Sequence, residues 1–344
     1  GGECEMPGYI ELRKRMDSVG MISKMTRAMQ LISGVRMRQS KRLLAEALPF
    51  SMHCMRTMER VLLTAPDLQS PYTHFREKEK GDTWKLAVYV LTGDRGFDGT
   101  YNADVVAATE KILTRRVREI ESRGYVPETT LCLAGTRGRE ELKSSGWSVD
   151  ESFYYSFKEP KYVQAVDLAE RIFLDYQQGY ADESLMIFSM MTTLVSSAPL
   201  YFRLMPADLR GLQKIIDIAC DDPDVRIALP PDFPGEPPSV PFDFSGDVDT
   251  LMDYLFNTYL SGVIYGALVE AYASEQTARM MSMDNASRNS ARLMTELLHK
   301  RNRLRQNAIT GELIGMSASV EAMRYVDASV AVERPRPAGG DRAV

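Results

Sequence analysis

Histidine and cysteine are scarce, three and four among 344 residues. His53, His74 and His299 stand far apart. Cys4, Cys54, Cys132 and Cys220 show no CxxC or other metal-ligand spacing, so the sequence predicts no metal site and four free thiols. His53 adjoins Cys54 but points to a different helix face, which makes the pair accidental. Proline is absent between Pro7 and Pro49 and again between Pro241 and Pro335. Each gap is long enough to be helix throughout. Aromatic residues are missing from Ile10 to Leu48 and from Ala273 to Thr310, the two most basic stretches. Base stacking needs aromatics among the cations, so their absence argues against a nucleic-acid partner and for an acidic protein. Gly1–Gly8 has no secretory character. The longest uncharged run, Ser184–Phe202, holds Thr192, Thr193, Ser196, Ser197 and Pro199, and reads as two buried strands with a turn near Pro199 rather than as a membrane span.

Hydrophobic residues make up 44% and charged residues 26%, the balance of a folded protein. The net charge of −5 hides a split. Residues 9–48 hold nine Lys/Arg against three Asp/Glu, and residues 270–310 hold seven against four, so the middle is strongly acidic. Both ends therefore suit a negative partner.

Leu12, Met16, Val19, Ile22, Met25, Met29, Ile32 and Val35 recur at steps of three and four, which predicts one apolar helical stripe. Pro49 is expected to kink or interrupt this helix, and Met52, Met55, Met58 and Leu62 carry the pattern on to Thr64. From Asp247 to Thr310 only Gly262 and Gly266 weaken a second helix, a rod of roughly 95 Å at 1.5 Å per residue. Val263, Ala267, Ala273, Met280, Met294, Leu297, Leu304 and Ala308 offer its seam. So long a rod needs a partner, and the N-terminal helix is the one at hand.

Strand and helix patterns alternate in the middle: strands at Trp84–Thr92, Thr129–Ala134, Val149–Phe157, Leu185–Val195 and Leu200–Met205, and helices at Tyr101–Arg123, Arg139–Ser145 and Tyr162–Gln178. This predicts a mostly parallel α/β layer. The division is thus 9–65 N-terminal coiled-coil helix, 80–230 Rossmann-like α/β domain, 231–246 proline-rich linker, 247–327 C-terminal coiled-coil helix and 328–344 disordered tail. The turn Gly93–Gly99 follows a strand and precedes a helix, where phosphate loops sit. Its spacing is GxxGxxG, Asp94 and Asp98 put negative charge at the phosphate position, and no Lys-Ser/Thr follows. It reads as a structural turn, and no cofactor is expected. A carboxylate pair for acid–base work has no supporting His, and Asp221, Asp222 and Asp224 read as a solvated loop.

These features resemble the gamma subunit of F-type ATP synthase. ISKMTRAMQLISGVRMR at 22–38 is similar to that family's N-terminal helix. DRGFDG at 94–99 resembles its SDRGLCG turn, with Phe97 for Leu and Asp98 for Cys. SEQTARMMSMDNASRNS at 274–290 and NRLRQNAITGEL at 302–313 resemble its C-terminal signature. The resemblance implies a long antiparallel coiled coil with an inserted α/β domain. It further implies a non-catalytic rotor shaft, one copy per complex, inside a hexamer of alpha and beta subunits, standing with the delta and epsilon subunits on a membrane c-ring. Proton-driven rotation would drive ATP synthesis, reversibly. On the same resemblance, Met29 faces the acidic catch loop of beta, Arg305 and Gln306 engage the beta catch loops, and Lys24 and Arg27 face acidic surfaces of the bore. The C-terminal end departs from the family pattern, with Gly311 and Gly315 in helical positions at roughly 1 kcal/mol each. MDNAS at 283–287 looks mitochondrial, which implies the matrix side of the inner membrane, with the cytoplasmic side of a bacterial plasma membrane as the alternative. The competing functional reading is a nucleotide-binding α/β enzyme with a coiled-coil appendage.

Overall fold

The computed structural model describes residues 7–64, 72, 75–153, 155–156, 159–193, 196–207 and 248–332. The proline-rich linker, the acidic residues at 221–224 and the tail from 333 lie outside them. Helix α1 spans Pro7–Thr64 and helix α5 spans Val248–Val332. Between them come β1 (Thr83–Leu91), α2 (Tyr101–Ser122), β2 (Val126–Ala134), α3 (Arg139–Ser144), α4 (Tyr162–Gln177), β3 (Glu183–Thr193) and β4 (Ser196–Met205). The chain divides into two compact units, Gly1–Thr26 with Ala286–Val344, and Arg27–Asn285. Segments of α1 and α5 pair within each unit, and the α/β layer belongs to the second.

In the second unit the sheet order is β2-β1-β3-β4, with β1 parallel to both neighbours and β4 antiparallel to β3. Alternation along the strands sends Leu86, Val88 and Val90 of β1 to one face, where they meet Val105, Leu113 and Ile120 of α2. Tyr89 and Leu91 point to the other, against Leu168 and Ile172 of α4 and Phe256, Leu260 and Ile264 of α5. Helices thus cover both faces, as a parallel sheet requires. Two buried carboxylates open β3. Glu183 accepts from Arg116 at 2.7 Å, and Asp182 accepts from Lys78 at 2.6 Å and from the backbone of Lys85 at 2.8 Å.

Two strand expectations change. Val149–Phe157 is not a strand among its described residues; only isolated bridges, Leu131 to Val149 and Ala134 to Tyr155, touch the sheet edge. Pro199 marks no turn. It lies within β4, the edge strand, where a missing backbone N–H costs least. Pro49 likewise does not interrupt α1, whose helix runs through it to Thr64. Helix α5 continues through Gly311 and Gly315 to Val332, past the boundary read at 327.

The α1 stripe is corrected by one residue. In the first unit the buried and half-buried line runs Leu12, Met16, Val19, Ser23, Thr26, and on α5 Met294, Leu297, Arg301, Leu304, Ala308. In the second unit it runs Gln30, Ser33, Met37, Ser40, Leu44 on α1 and Ala273, Thr277, Met280, Asp284 on α5. Every residue read as the α5 seam is buried or half-buried. On α1, the apolar stripe from Ile22 onward sits one position ahead of the seam. One residue is about 100° of helix rotation, so Ile22, Met25, Ile32 and Val35 are exposed, by 51–59%. Small side chains take their place at the interface and let the backbones come close. A Cβ on Gly34 would stand 3.2 Å from Met280 Sδ, and one on Gly20 3.5 Å from Met294 Cε. Three of the seam's polar side chains are hydrogen-bonded: Gln30 donates to Asp284 at 2.8 Å, Ser40 to the Arg36 carbonyl at 2.9 Å and Thr26 to the Ser23 carbonyl at 3.1 Å. As residue numbers rise from Gln30 to Gly34, their partners fall from Asp284 to Met280, so the pair is antiparallel.

Two measurements follow from this packing. Replacing exposed Ile32 and Val35 together by Ser is expected to change the unfolding free energy in urea by less than about 0.5 kcal/mol, whereas Met37→Ala at the seam costs about 2 kcal/mol. Equal losses would show that the stripe, not the small-residue line, is the interface. Gly135 has φ +87°, and a Cβ there would sit 2.1 Å from the Thr92 carbonyl oxygen. Gly135→Ala is therefore expected to destabilise the α/β layer by about 2–3 kcal/mol in the same assay; an unchanged midpoint would contradict the geometry.

Candidate functional site

Lys24, Arg305 and Gln306 lie in the first unit and all three are exposed; Arg27, exposed, and Met29, half-buried, lie in the second. With Gly20 level with Met294 on antiparallel helices, Lys24 and Arg305 of the first unit stand apart along the pair by about 22 Å at 1.5 Å per residue. Lys24, Arg305 and Gln306 lie on the outer surface of the paired helices of that unit.

The first unit adds a feature that residue patterns did not reveal. The same level places Arg13 beside Arg301, and around them stand Lys14, Arg15, Lys300, Arg303 and Arg305. Seven cations from two chain ends converge on one belt, against the carboxylates of Glu11, Asp17 and Glu296. The sequence shows both ends basic and leads one to expect the two helices to pair; the register shows which cations come level. Beyond the belt, Ile309, Leu313, Met316, Val320 and Met323 follow each other at alternating steps of four and three along α5, and each is 47–69% exposed. Met21, Ile22 and Met25 are exposed on α1 of the same unit, and Leu31, Ile32 and Val35 on α1 of the other. These are the functional candidates that sequence reasoning missed, because it had spent several of them on the core. Large apolar side chains standing in water along a line mark a surface built to be covered.

The turn at 93–99 is tied up by its own hydrogen bonds. Gly93 N donates to Asn102 Oδ1 at 2.8 Å, and Asn102 Nδ2 donates to buried Asp98 at 2.6 Å. The Thr136 backbone donates to Asp94 at 3.1 Å, and Arg279 of α5 donates to the carbonyls of Gly96 and Arg95 at 3.3 and 3.4 Å. Protein carboxylates fill the position that a bound anion would take. Among the described residues, no group of three or more His, Cys, Asp or Glu is placed to hold a metal ion, and no helix is long and apolar enough to cross a membrane. Cys54 and Cys132 are buried free thiols; burial raises both, Cys132 to about 12, which keeps it protonated and unreactive.

The chain has relatives of known family and of solved structure. The ATP synthase family profile matches residues 9–323. The ATP synthase gamma chain of Ruminiclostridium cellulolyticum is 30% identical over 315 residues, covering 90% of this chain and 98% of that one. That of Acetivibrio thermocellus is 28% identical over 314 residues, covering 91% and 98%. Among solved structures, a chain of the Euglena gracilis mitochondrial ATP synthase aligns with a TM-score of 0.53 at 13% identity, over 97% of this chain and 99% of that one. A chain from the central stalk and c-ring of the Tetrahymena thermophila mitochondrial ATP synthase aligns at 0.50 and 17%, over 76% and 99%. On its profile match and its near full-length relatives, this chain belongs to the ATP synthase gamma chain family.

Proposed function

We propose that this chain is the central rotor shaft of an F-type ATP synthase. It couples proton-driven rotation of a membrane c-ring to the conformational cycling of catalytic beta subunits, and runs in reverse on ATP hydrolysis. The observation that carries this reading is the belt of seven cations flanked by an exposed apolar stripe on α5. Like charges crowded on a rod repel one another, and a surrounding ring of acidic loops relieves that repulsion. An eccentric rod presents its cations to each loop differently at each angle, so rotation changes the loops' energies in turn. The shaft needs no catalytic group of its own.

In this reading Arg305 and Gln306 engage the acidic catch loops of beta, Met29 faces the same loops, and Lys24 and Arg27 face acidic surfaces of the alpha–beta hexamer bore. The alpha and beta subunits enclose the paired helices. The α/β layer stands with the delta and epsilon subunits on the c-ring, one copy of this chain per complex. MDNAS at 283–287 supports a mitochondrial type on the matrix side of the inner membrane. The bacterial gamma chains that match this one keep the cytoplasmic face of a bacterial plasma membrane as the alternative, and fractionation of the source cells separates the two.

The double change Arg305→Ala, Gln306→Ala in the assembled complex tests the site. Removing a cation from a desolvated interface costs on the order of 2 kcal/mol, so ATP synthesis at a limiting proton gradient is expected to fall by up to about thirtyfold in complexes of unchanged subunit composition. Full synthesis at every gradient would remove these residues from the coupling face.

A further inference from the structure

Glu275 and Arg279 are buried on α5 where it passes the turn between β1 and α2. Arg279 pairs with Glu275 and donates to the carbonyls of Arg95 and Gly96. Between those carbonyls and Asp98 lies Phe97, exposed and at φ 67°, a left-handed conformation that a large side chain adopts only under constraint. Asp98 is buried too, its carboxylate accepting from Asn102. A Cβ on Gly93 would lie 3.2 Å from Glu275 Oε1 and 3.4 Å from Asp98 Oδ2, so the two carboxylates flank a single glycine.

The charges around this cluster do not balance inside it. Two buried carboxylates face one buried guanidinium. The other charged groups on the packed elements are Asp94 and exposed Arg95 on the turn, exposed Arg137 of the 135–138 loop beside Gly96, and Arg36 of α1 and Glu159 near Tyr272. Asp94 is itself occupied, accepting from the Thr136 backbone and from Ser156. Tyr101, also buried here, donates to the Ala271 carbonyl at 3.2 Å and adds no charge. Neighbouring buried carboxylates with one counter-charge cannot both ionise cheaply.

We propose that Asp98 and Glu275 titrate as a coupled pair that retains a proton, and that its loss on raising the pH loosens the clasp tying the 94–99 turn to α5. Burial lifts both carboxyls above their ordinary range; at Asp98 a backbone hydrogen bond, Arg279, Arg137 and the Asn102 amide offset part of that rise, and at Glu275 Arg279 offsets part while Asp98 adds to it. The folded state therefore holds more protons than the unfolded chain between the ordinary and the raised values. Stability of the clasp is fully present below that window, falls as pH rises through it, and levels off above it. The inference concerns the packing of α5 on the α/β layer and stands whether or not the rotor reading does.

Hydrogen–deuterium exchange of the full chain tests it, from pH 5 to 8.5 after correction for intrinsic rates, comparing the 93–101 peptide with the α4 peptide as internal reference. Opening of 93–101 relative to α4 is expected to rise with pH, by at most about tenfold per unit for one linked proton. Asp98→Asn and Asp98→Cys are each expected to abolish that rise and to leave the turn better protected at high pH. A wild-type profile parallel to α4 throughout, or an undiminished rise in either variant that folds, would overturn the proposal.

Discussion

The close approach of two helix backbones along a line of small residues is the constraint on which the rest depends. Ser33, Gly34 and Ser40 of α1 cannot bury much apolar area; they give proximity, and the facing Met280, Ala273 and Thr277 fill what remains. The consequence is displacement. Side chains large enough to be core, such as Leu31, Ile32 and Val35, stand outside at 53–64% exposure. In the first unit, Ile22 and Met25 stand outside beside a seam of Ser23 and Thr26. In each unit the helix interface is thin and large apolar side chains face outward, an arrangement that gains stability only when another surface covers it.

The α/β layer follows a separate logic. Its inner strands β1 and β3 are mostly buried on both faces, and the β1–β2 pair is held by a parallel ladder from Thr83 with Val126 to Leu91 with Ala134. Buried ion pairs at the start of β3 and the Arg279 clasp at the end of β1 tie loops to helices rather than form a pocket. The turn that imitates a phosphate loop by position is closed by its own carboxylates, so its place between strand and helix serves attachment.

Much of this was legible in the sequence. The two proline gaps located both long helices, and β-rich and buried apolar runs fell on each strand among the described residues, although β4 begins at Ser196, ahead of the Leu200 read from the sequence. Gly93–Gly99 was readable as structural because Asp94 and Asp98 carry the wrong charge for an anion site. What was not legible has a physical cause. Steps of three and four fit a seam at 22, 25, 29, 32 as well as one at 23, 26, 30, 33, and hydrophobicity favoured the first. The choice between them is made by α5, through backbone proximity that no single-helix pattern encodes. The isolated bridges at Val149 and Tyr155 read as a strand because apolar alternation does not reveal whether an edge partner is continuous. Lys24, Arg27, Arg305 and Gln306 were nameable from the resemblance, but the convergence of Arg13 with Arg301 needed the register.

The native mass and subunit composition of the complex that this chain forms in its own cells decide whether the paired helices are enclosed by a ring of other subunits. One copy of this chain with three alpha and three beta subunits is expected. Recovery of the chain as a self-assembled oligomer, or in a stable complex without those subunits, would overturn the rotor reading.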